Sequence, residues 1–112
     1  MSMLGLVHKG SHKEIIGICS YADDENNRAE VAFVVREDYQ GMGIASSMLL
    51  LLEKIAKENQ FIGFSASALR ENKAMIHVFQ KRYPNLQISQ NVGSEVNILM
   101  DFDDAVEPER KL

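Results

Sequence analysis

The stretch that decides the fold reads VVREDYQGMGIA, residues 34–45. An apolar run ends here, a short charged turn follows, and a Gly-x-Gly segment leads directly into a long apolar stretch. This order predicts a strand, a loop that exposes backbone N–H groups, and the start of a helix. A helix start carries unpaired N–H donors and a partial positive charge, and glycines let a phosphate approach the backbone closely. The stretch therefore predicts an anion-binding loop.

The segments on both sides of this stretch predict strands around a central crossover. Polar turns separate three apolar segments before it, which is typical of antiparallel strands. Met42 to Asn59 has the period of an amphipathic helix, with Glu53 on its solvated face. A strand is expected from Phe61 to Ala68, parallel to the one before the helix because a helix connects the two. The other expected elements are strands at residues 4–8, 14–21, 29–35, 86–90 and 95–102 and a helix at 71–82.

Length and composition limit the class of protein. The 112 residues suffice for one domain, expected over 1–102, with a frayed charged tail at 103–112. A net charge of −4 argues against binding to nucleic acid or to a membrane surface. The single cysteine, Cys19, excludes an internal disulfide and favours a cytoplasmic location. Runs such as Met48–Leu52 are too short to span a bilayer, and no histidine or cysteine spacing predicts a metal site.

The spacing of Gly41 and Gly43 alone leaves more than one interpretation open. A dinucleotide-binding loop would carry a third glycine and would open a parallel βαβ unit, whereas the strands before this loop look antiparallel. A nucleoside-triphosphate loop would carry Gly-Lys-Ser or Gly-Lys-Thr, which the chain lacks. The remaining alternative is a tight strand-to-helix turn that binds nothing.

A resemblance to a known family narrows these alternatives. Residues 40–45 resemble the Gln/Arg-x-x-Gly-x-Gly/Ala signature of the GNAT acyl-CoA-dependent N-acetyltransferases. Residues 29–36 look like the central strand before that signature, and residues 69–75 like the Asn-bearing start of the family's second helix. The sequence of these segments most resembles that of acetyltransferase domains fused to acyl-CoA synthetase or CoA-transferase modules, including bacterial protein lysine acetyltransferases.

This resemblance implies the fold. It is α+β (α/β three-layer by some schemes), with a GNAT-like mixed, mostly antiparallel sheet, a central parallel pair splayed apart, and two main helices. The first strand, at Leu4, would be the family's second, so the family's N-terminal strand and two helices are expected to be absent. One face of the sheet would then be partly uncovered, which favours a homodimer or docking onto a parent multidomain protein.

The resemblance also implies a cofactor, acetyl-CoA, and the residues that bind it. Backbone N–H groups of residues 41–45 would hold its pyrophosphate. Its pantetheine would lie where the strand end at residues 33–35 splays from residues 64–66, close to Asn72. The thioester carbonyl would sit near a backbone N–H of β-strand residues 34 or 35. The implied cofactor-binding residues are Val34, Val35, Gln40, Gly41, Met42, Gly43, Ile44, Ala45 and Asn72, and no metal is expected.

The implied reaction transfers the acetyl group of acetyl-CoA to an amine, either a protein lysine or a small amine. Such an amine is mostly protonated at neutral pH and must lose a proton. Glu30 is the candidate base, because the lysine acetyltransferases that this chain resembles carry a strand glutamate at the matching place. It also lies in an otherwise apolar strand, where burial would raise its pKa. The alternative is a glutamate on the solvated side of that strand, since Glu30 alternates with Val31.

Other positions depart from the family or stay ambiguous. Phe79 stands where many members carry the tyrosine that protonates the leaving thiolate, and Tyr83 is a possible substitute. These departures keep open a second function, a non-catalytic acyl-CoA-binding module that regulates a larger protein. Cys19 is expected to be a core thiol and His77 to lie on a helix surface. The basic residues that either meet the CoA phosphates or are solvated surface charges are Arg36, Arg70 and Lys73.

Overall fold

The computed structural model describes residues 2–9, 12–36, 43–90 and 93–106. Within these ranges the chain forms one six-stranded sheet in the order β1-β2-β3-β4-β6-β5. Strands β3 and β4 are parallel and the other neighbouring strands are antiparallel, which confirms the predicted mixed sheet. The elements are β1 (Ser2–Lys9), β2 (His12–Asp23), β3 (Arg28–Val35), α1 (Ile44–Glu58), β4 (Gly63–Leu69), α2 (Lys73–Arg82), β5 (Gln87–Gln90), β6 (Glu95–Asp101) and a 3₁₀ helix (Phe102–Asp104).

Helix α2 and strand β4 each begin two residues later than the sequence predicts. Helix α2 begins at Lys73 because the side chain of Asn72 caps it, accepting a hydrogen bond of 3.3 Å from the backbone N–H of Met75. Strand β4 begins at Gly63, since the N–H of Ile62 donates to a loop carbonyl instead of joining the strand ladder. The hydrogen bond of Asn72 is local, whereas that of Ile62 reaches the carbonyl of Asn27, 35 residues earlier in the chain.

The parallel contact between β3 and β4 is short. It runs over three residue pairs, from Arg28 opposite Gly63 to Glu30 opposite Ser65. Beyond them β3 stays paired with β2 and β4 with β6, so a gap opens between the two strands. The predicted splayed pair is confirmed, although residues 64 and 65, which were expected at the gap, belong to its closed base.

Arg28 ties the closed base together. Its Nη1 donates to the backbone oxygen of Met100 at 2.8 Å, and its Nη2 pairs with Asp101 at 2.5 Å. A side chain at Gly63 would block this contact, because a Cβ there would stand 2.5 Å from the Arg28 guanidinium and 2.1 Å from the Met100 oxygen. The three strands β3, β4 and β6 are therefore held together at the end of the sheet opposite the gap.

The hydrophobic core lies between one face of the sheet and the two helices. Its thiol, Cys19, is fully buried, and burial raises the pKa of that thiol, which fits a packing role and not a nucleophile. The opposite face is open to solvent, where Ile18 is 42%, Val34 67% and Leu99 38% exposed. Core residues from the strands and helices are Ala29, Val31, Phe64, Ala66, Val96, Ile98, Met100, Leu49, Leu52, Ala56 and Phe79.

Helix α1 is fixed to the end of α2 by a buried carboxylate. Glu53, predicted to face solvent, is only 4% exposed. Its oxygens accept from Arg82 at 2.7 and 3.3 Å and from the hydroxyl of Tyr83 at 2.5 Å, and Lys57 lies 3.3 Å away. The prediction was wrong because the partners are 29 and 30 residues away and helical period alone does not place them.

The contacts around Glu53 favour its charged form. Burial on its own would raise the pKa of Glu53, but the hydrogen bonds from Arg82 and Tyr83 and the charges of Arg82 and Lys57 hold this pKa below its usual range. Tyr83 is fully buried, and that burial, together with Glu53, raises its pKa. The hydroxyl of Tyr83 is therefore a permanent donor to the carboxylate.

Residues 103–106 belong to the folded body and not to a frayed tail. Asp104 accepts hydrogen bonds from the backbone N–H and side-chain amide of Asn85, both at 2.7 Å. Val106 exchanges hydrogen bonds with Arg82 through its N–H and its carbonyl oxygen. Neither described α-helix is long and apolar enough to cross a membrane.

Replacing Glu53 with Gln should destabilise the protein by about 3 kcal/mol, because it removes the buried carboxylate with which Arg82 pairs at 2.7 Å. A carboxyl with a lowered pKa stabilises the fold above its unfolded pKa of ~4.3, and this contribution is lost as the pH falls through the folded pKa. Urea unfolding at neutral and acidic pH should thus show a weaker acid dependence for E53Q than for wild type. E58Q, an exposed glutamate of the same helix, is the control; equal stability of E53Q and E58Q would contradict this account.

Candidate functional site

A cleft of about 430 Å³ opens between the end of β3, the start of α1 and one side of α2. It brings together all six of the predicted cofactor-binding positions that the structure describes. Gln40, Gly41 and Met42 lie outside the described residues. The cleft is lined by Phe33, Val34, Val35, Gly43, Ile44, Ala45, Ser46, Asn72, Ala74, Met75, His77, Val78 and Lys81.

The start of α1 forms one end of the cleft. Gly43 has a φ of +80°, a left-handed conformation that a side chain would strain. Its carbonyl accepts the first helical hydrogen bond, from Ser47, and within the described part of the chain no side chain caps the helix. The N–H groups of the first turn and their positive dipole end therefore face the cleft, where an anion is stabilised.

The exposed edge of β3 forms the long wall. The register makes Ile18 and Val34 a hydrogen-bonded pair, so the backbone groups of Val34 point toward β2. Arg36 donates to β2 in the same direction, and strand alternation turns the N–H groups of Phe33 and Val35 toward the gap. Of the two backbone positions predicted for the thioester carbonyl, Val35 directs its N–H toward the gap and Val34 directs its N–H toward β2.

Asn72 has two roles in the architecture. Its side chain caps α2 through Met75, and the residue also lines the cleft. Asn72 therefore both fixes the start of α2 and borders the cleft.

Glu30 lies at the vertex of the gap, in the last residue pair that joins β3 to β4. Its side chain is exposed, contrary to the expected burial, and shares the open sheet face with Val34. Its cross-strand neighbour Ser65 donates to Asp24 at 2.9 Å. Burial alone would raise the pKa of Asp24, but hydrogen bonds from two backbone N–H groups and from Ser65, with the charge of Arg28, lower it. The vertex therefore presents carboxylates on the face away from the helices.

Residues 3–83 match the model of the acetyltransferase (GNAT) family. The chain belongs to this family. An acetyltransferase of Pseudomonas aeruginosa is 30% identical over 76 residues, which are 67% of this chain and 41% of that protein. The chain thus spans less than half the length of this GNAT relative.

Solved structures share the fold. A domain from Methanocaldococcus jannaschii superposes with a TM-score of 0.75 at 14% identity, covering 89% of this chain and 65% of that chain. The GNAT domain of S. lividans PAT gives 0.65 at 28% identity, covering 79% and 55%. The paia N-acetyltransferase from Thermoplasma acidophilum, in complex with coenzyme A, gives 0.67 at 20% identity, covering 78% and 54%.

The position at which many GNAT enzymes carry a tyrosine is apolar here. Phe79 is 2% exposed, and its ring packs edge-on against Phe33 with centroids 5.9 Å apart. Tyr83, the possible substitute, donates to Glu53 and does not line the cleft. It is therefore a structural residue of this GNAT domain.

Three polar cleft residues were not singled out as cleft-lining by sequence reasoning. Ser46 lies in the first turn of α1, and His77 and Lys81 lie on the exposed side of α2. His77 was expected on a helix surface, which is correct, but that surface borders the cleft. The helical spacing of Ala74, Val78 and Lys81 could have identified this wall, because positions i, i+4 and i+7 share a face.

Replacing Asn72 with Ala should lower the free energy of unfolding by about 1 kcal/mol, because the N–H of Met75 loses its acceptor. Asn72→Asp keeps the acceptor and places a negative charge at the helix start, so its stability should match wild type. Urea unfolding of the two variants measures the difference. Equal stability of N72A and N72D would show that the cap is not formed in solution.

Proposed function

We propose that this domain binds acetyl-CoA in the cleft and transfers its acetyl group to an amine. The observation that carries the proposal is the continuity between the β3–β4 gap and the start of α1. An extended, partly peptide-like arm can lie along a strand edge that faces a gap, while a pyrophosphate needs N–H donors and positive potential. One cleft offers both, end to end. Membership of the GNAT family supports this assignment.

In the proposed complex the pyrophosphate lies against the first turn of α1, at residues 43–45, with Gln40, Gly41 and Met42 completing the loop. The pantetheine runs along the edge of β3 and pairs with the backbone of Val35. Asn72 contacts the arm from the side of α2. The acetyl group then points toward the vertex of the gap.

The proposed reaction is direct attack of the amine on the thioester carbonyl. The N–C bond forms, the C–S bond breaks, and CoA leaves as a thiolate. Glu30, at the vertex, takes the proton that the amine must lose, directly or through water. With a phenylalanine at position 79, the thiolate leaves without a tyrosine acid; a thiol with a pKa of ~8.5 is a good enough leaving group for this.

The acceptor is proposed to be a primary amine, a protein lysine or a small amine. Glu30 faces the open side of the sheet, so an acceptor can reach the vertex from the side opposite the helices. A lysine acceptor is supported by the sequence of residues 29–45 and 69–75, which most resembles acetyltransferase domains of larger acyl-CoA-handling proteins. The open face, with exposed Ile18 and Val34, is also where a homodimer or a parent protein would dock, and this stays a prediction.

A non-catalytic acyl-CoA-binding module is the second candidate function. It is favoured by the apolar residue at Phe79 and by the exposure of Glu30, which leaves its carboxylate in a solvated setting. The two functions differ in whether thiol is released from acetyl-CoA in the presence of amines.

Replacing Ala74 with Phe should weaken acetyl-CoA binding at least tenfold, because the ring fills the cleft wall of α2, and a tenfold loss needs only about 1.4 kcal/mol. Ala74 is exposed, so the fold should tolerate the change. Titration calorimetry measures the affinity. Gln80→Phe adds the same ring to α2 outside the cleft and is the control; equal affinity of both variants, or no binding to wild type at millimolar ligand, would contradict the proposal.

Replacing Glu30 with Gln should lower acetyl transfer at least a hundredfold while leaving the affinity for acetyl-CoA unchanged, because only proton removal is lost. Thiol release with a panel of amines gives the rate, and calorimetry gives the affinity. Glu95→Gln, another exposed glutamate at the start of a strand, is the matched control. Full activity of E30Q would remove Glu30 from the role of base, and an inactive wild type that still binds acetyl-CoA would favour the binding module.

A further inference from the structure

A second groove, of about 610 Å³, lies on the other side of α2, between this helix and strands β5 and β6. Helix α2 separates it from the acyl-CoA cleft, and the exposed His77 borders both. The groove is of the size that small-molecule ligands occupy in proteins. It is lined by Arg70, Lys73, Ile76, His77, Gln80, Ile88 and Val96.

The floor of the groove is apolar. Ile76 is half-buried, Val96 is buried, and Ile88 on the edge strand is 47% exposed. Covering these three branched apolar side chains with a ligand would remove apolar surface from water, which favours binding.

The cationic groups lie at one end of the groove. The backbone N–H of Arg70 donates to the oxygen of Ser94 at 2.7 Å, which fixes the turn that carries its guanidinium. Lys73 is the first residue of α2, so its ammonium lies near the positive end of the helix. In the described ranges no carboxylate pairs with either side chain at salt-bridge distance. A shallower depression lined by Arg70, Glu71, Lys73 and Ser94 adjoins them.

Neither cation lines the acyl-CoA cleft, so the groove offers its positive charge to a different anion. The positive end is also not a reflection of the whole chain, whose net charge is −4. Positive charge at one end and an apolar floor along the rest complement a ligand that has an anionic end and an apolar body. An acidic peptide would need cations along its length, and among the described lining residues the far end presents the neutral Gln80.

We propose that this groove binds a small amphiphilic anion. Its carboxylate or phosphate head contacts Arg70 and Lys73, and its apolar body lies on Ile76 and Ile88. The site is separate from the acyl-CoA cleft, although His77 borders both and can contact a ligand in either.

The test uses 1-anilinonaphthalene-8-sulfonate, which has an anionic head and an apolar body, and follows its fluorescence on the full chain with and without saturating CoA. Arg70→Gln and Lys73→Gln should each weaken probe binding about fivefold, the strength of an exposed charge pair. Ile88→Ser should weaken it by a similar factor. Lys54→Gln, an exposed lysine of α1, is the control and should bind like wild type.

Competition then tests both halves of the ligand. Octanoate should displace the probe at concentrations at which inorganic phosphate does not, because phosphate lacks the apolar body. Equal affinity of all four variants, complete displacement of the probe by CoA, or equal competition by phosphate and octanoate would overturn the proposal. Calorimetry with acetyl-CoA on R70Q and I88S distinguishes the two sites. Both variants should bind acetyl-CoA with the affinity of wild type, whether or not the groove binds the probe.

Discussion

Three parallel residue pairs at the base of β3 and β4 are the constraint on which the rest of this structure depends. If the two strands stayed paired along their whole length, the sheet would be continuous and no strand edge would be available inside it. Because the pairing stops at Glu30 and Ser65, one edge of β3 stays open next to the start of α1. Arg28 secures the closed end by reaching across Gly63 to β6.

The gap also needs walls that stay in place. Helix α1 and helix α2 come from opposite sides of the gap, and the buried Glu53 joins them by accepting from Arg82 and Tyr83. A buried carboxylate with these partners is costly to disrupt. Different residues of this segment hold Glu53 and line the cleft: Arg82 and the following Tyr83 hydrogen-bond to Glu53, whereas Ala74, Val78 and Lys81 border the cleft. Tyr83 therefore stabilises the fold and does not line the cleft.

The sequence predicted the elements that depend on local signals. The glycine-rich start of α1, the presence of a second helix and the strand–helix–strand order around them follow from period and spacing, whereas Asn72 was singled out by the family resemblance. Long-range partners could not be predicted in this way. The sequence predicts Glu53 to be a solvated helix residue, because its partner Arg82 is distant in the chain. Residues 103–106 were likewise predicted to be a charged tail, although Asn85 and Arg82 hydrogen-bond to them. The expected burial of Glu30 failed for a related reason, since alternation along β3 left open which face the helices would cover.

The central claim is that the open edge of β3 and the start of α1 hold one ligand together, and amide NMR of the labelled protein during titration with acetyl-CoA tests it most directly. The account predicts that the amides of Phe33, Val35 and residues 43–45 shift together and exchange more slowly with solvent, while Ala29, in the closed base, is unchanged. Shifts confined to the groove on the other side of α2, or no shifts at millimolar acetyl-CoA, would contradict it.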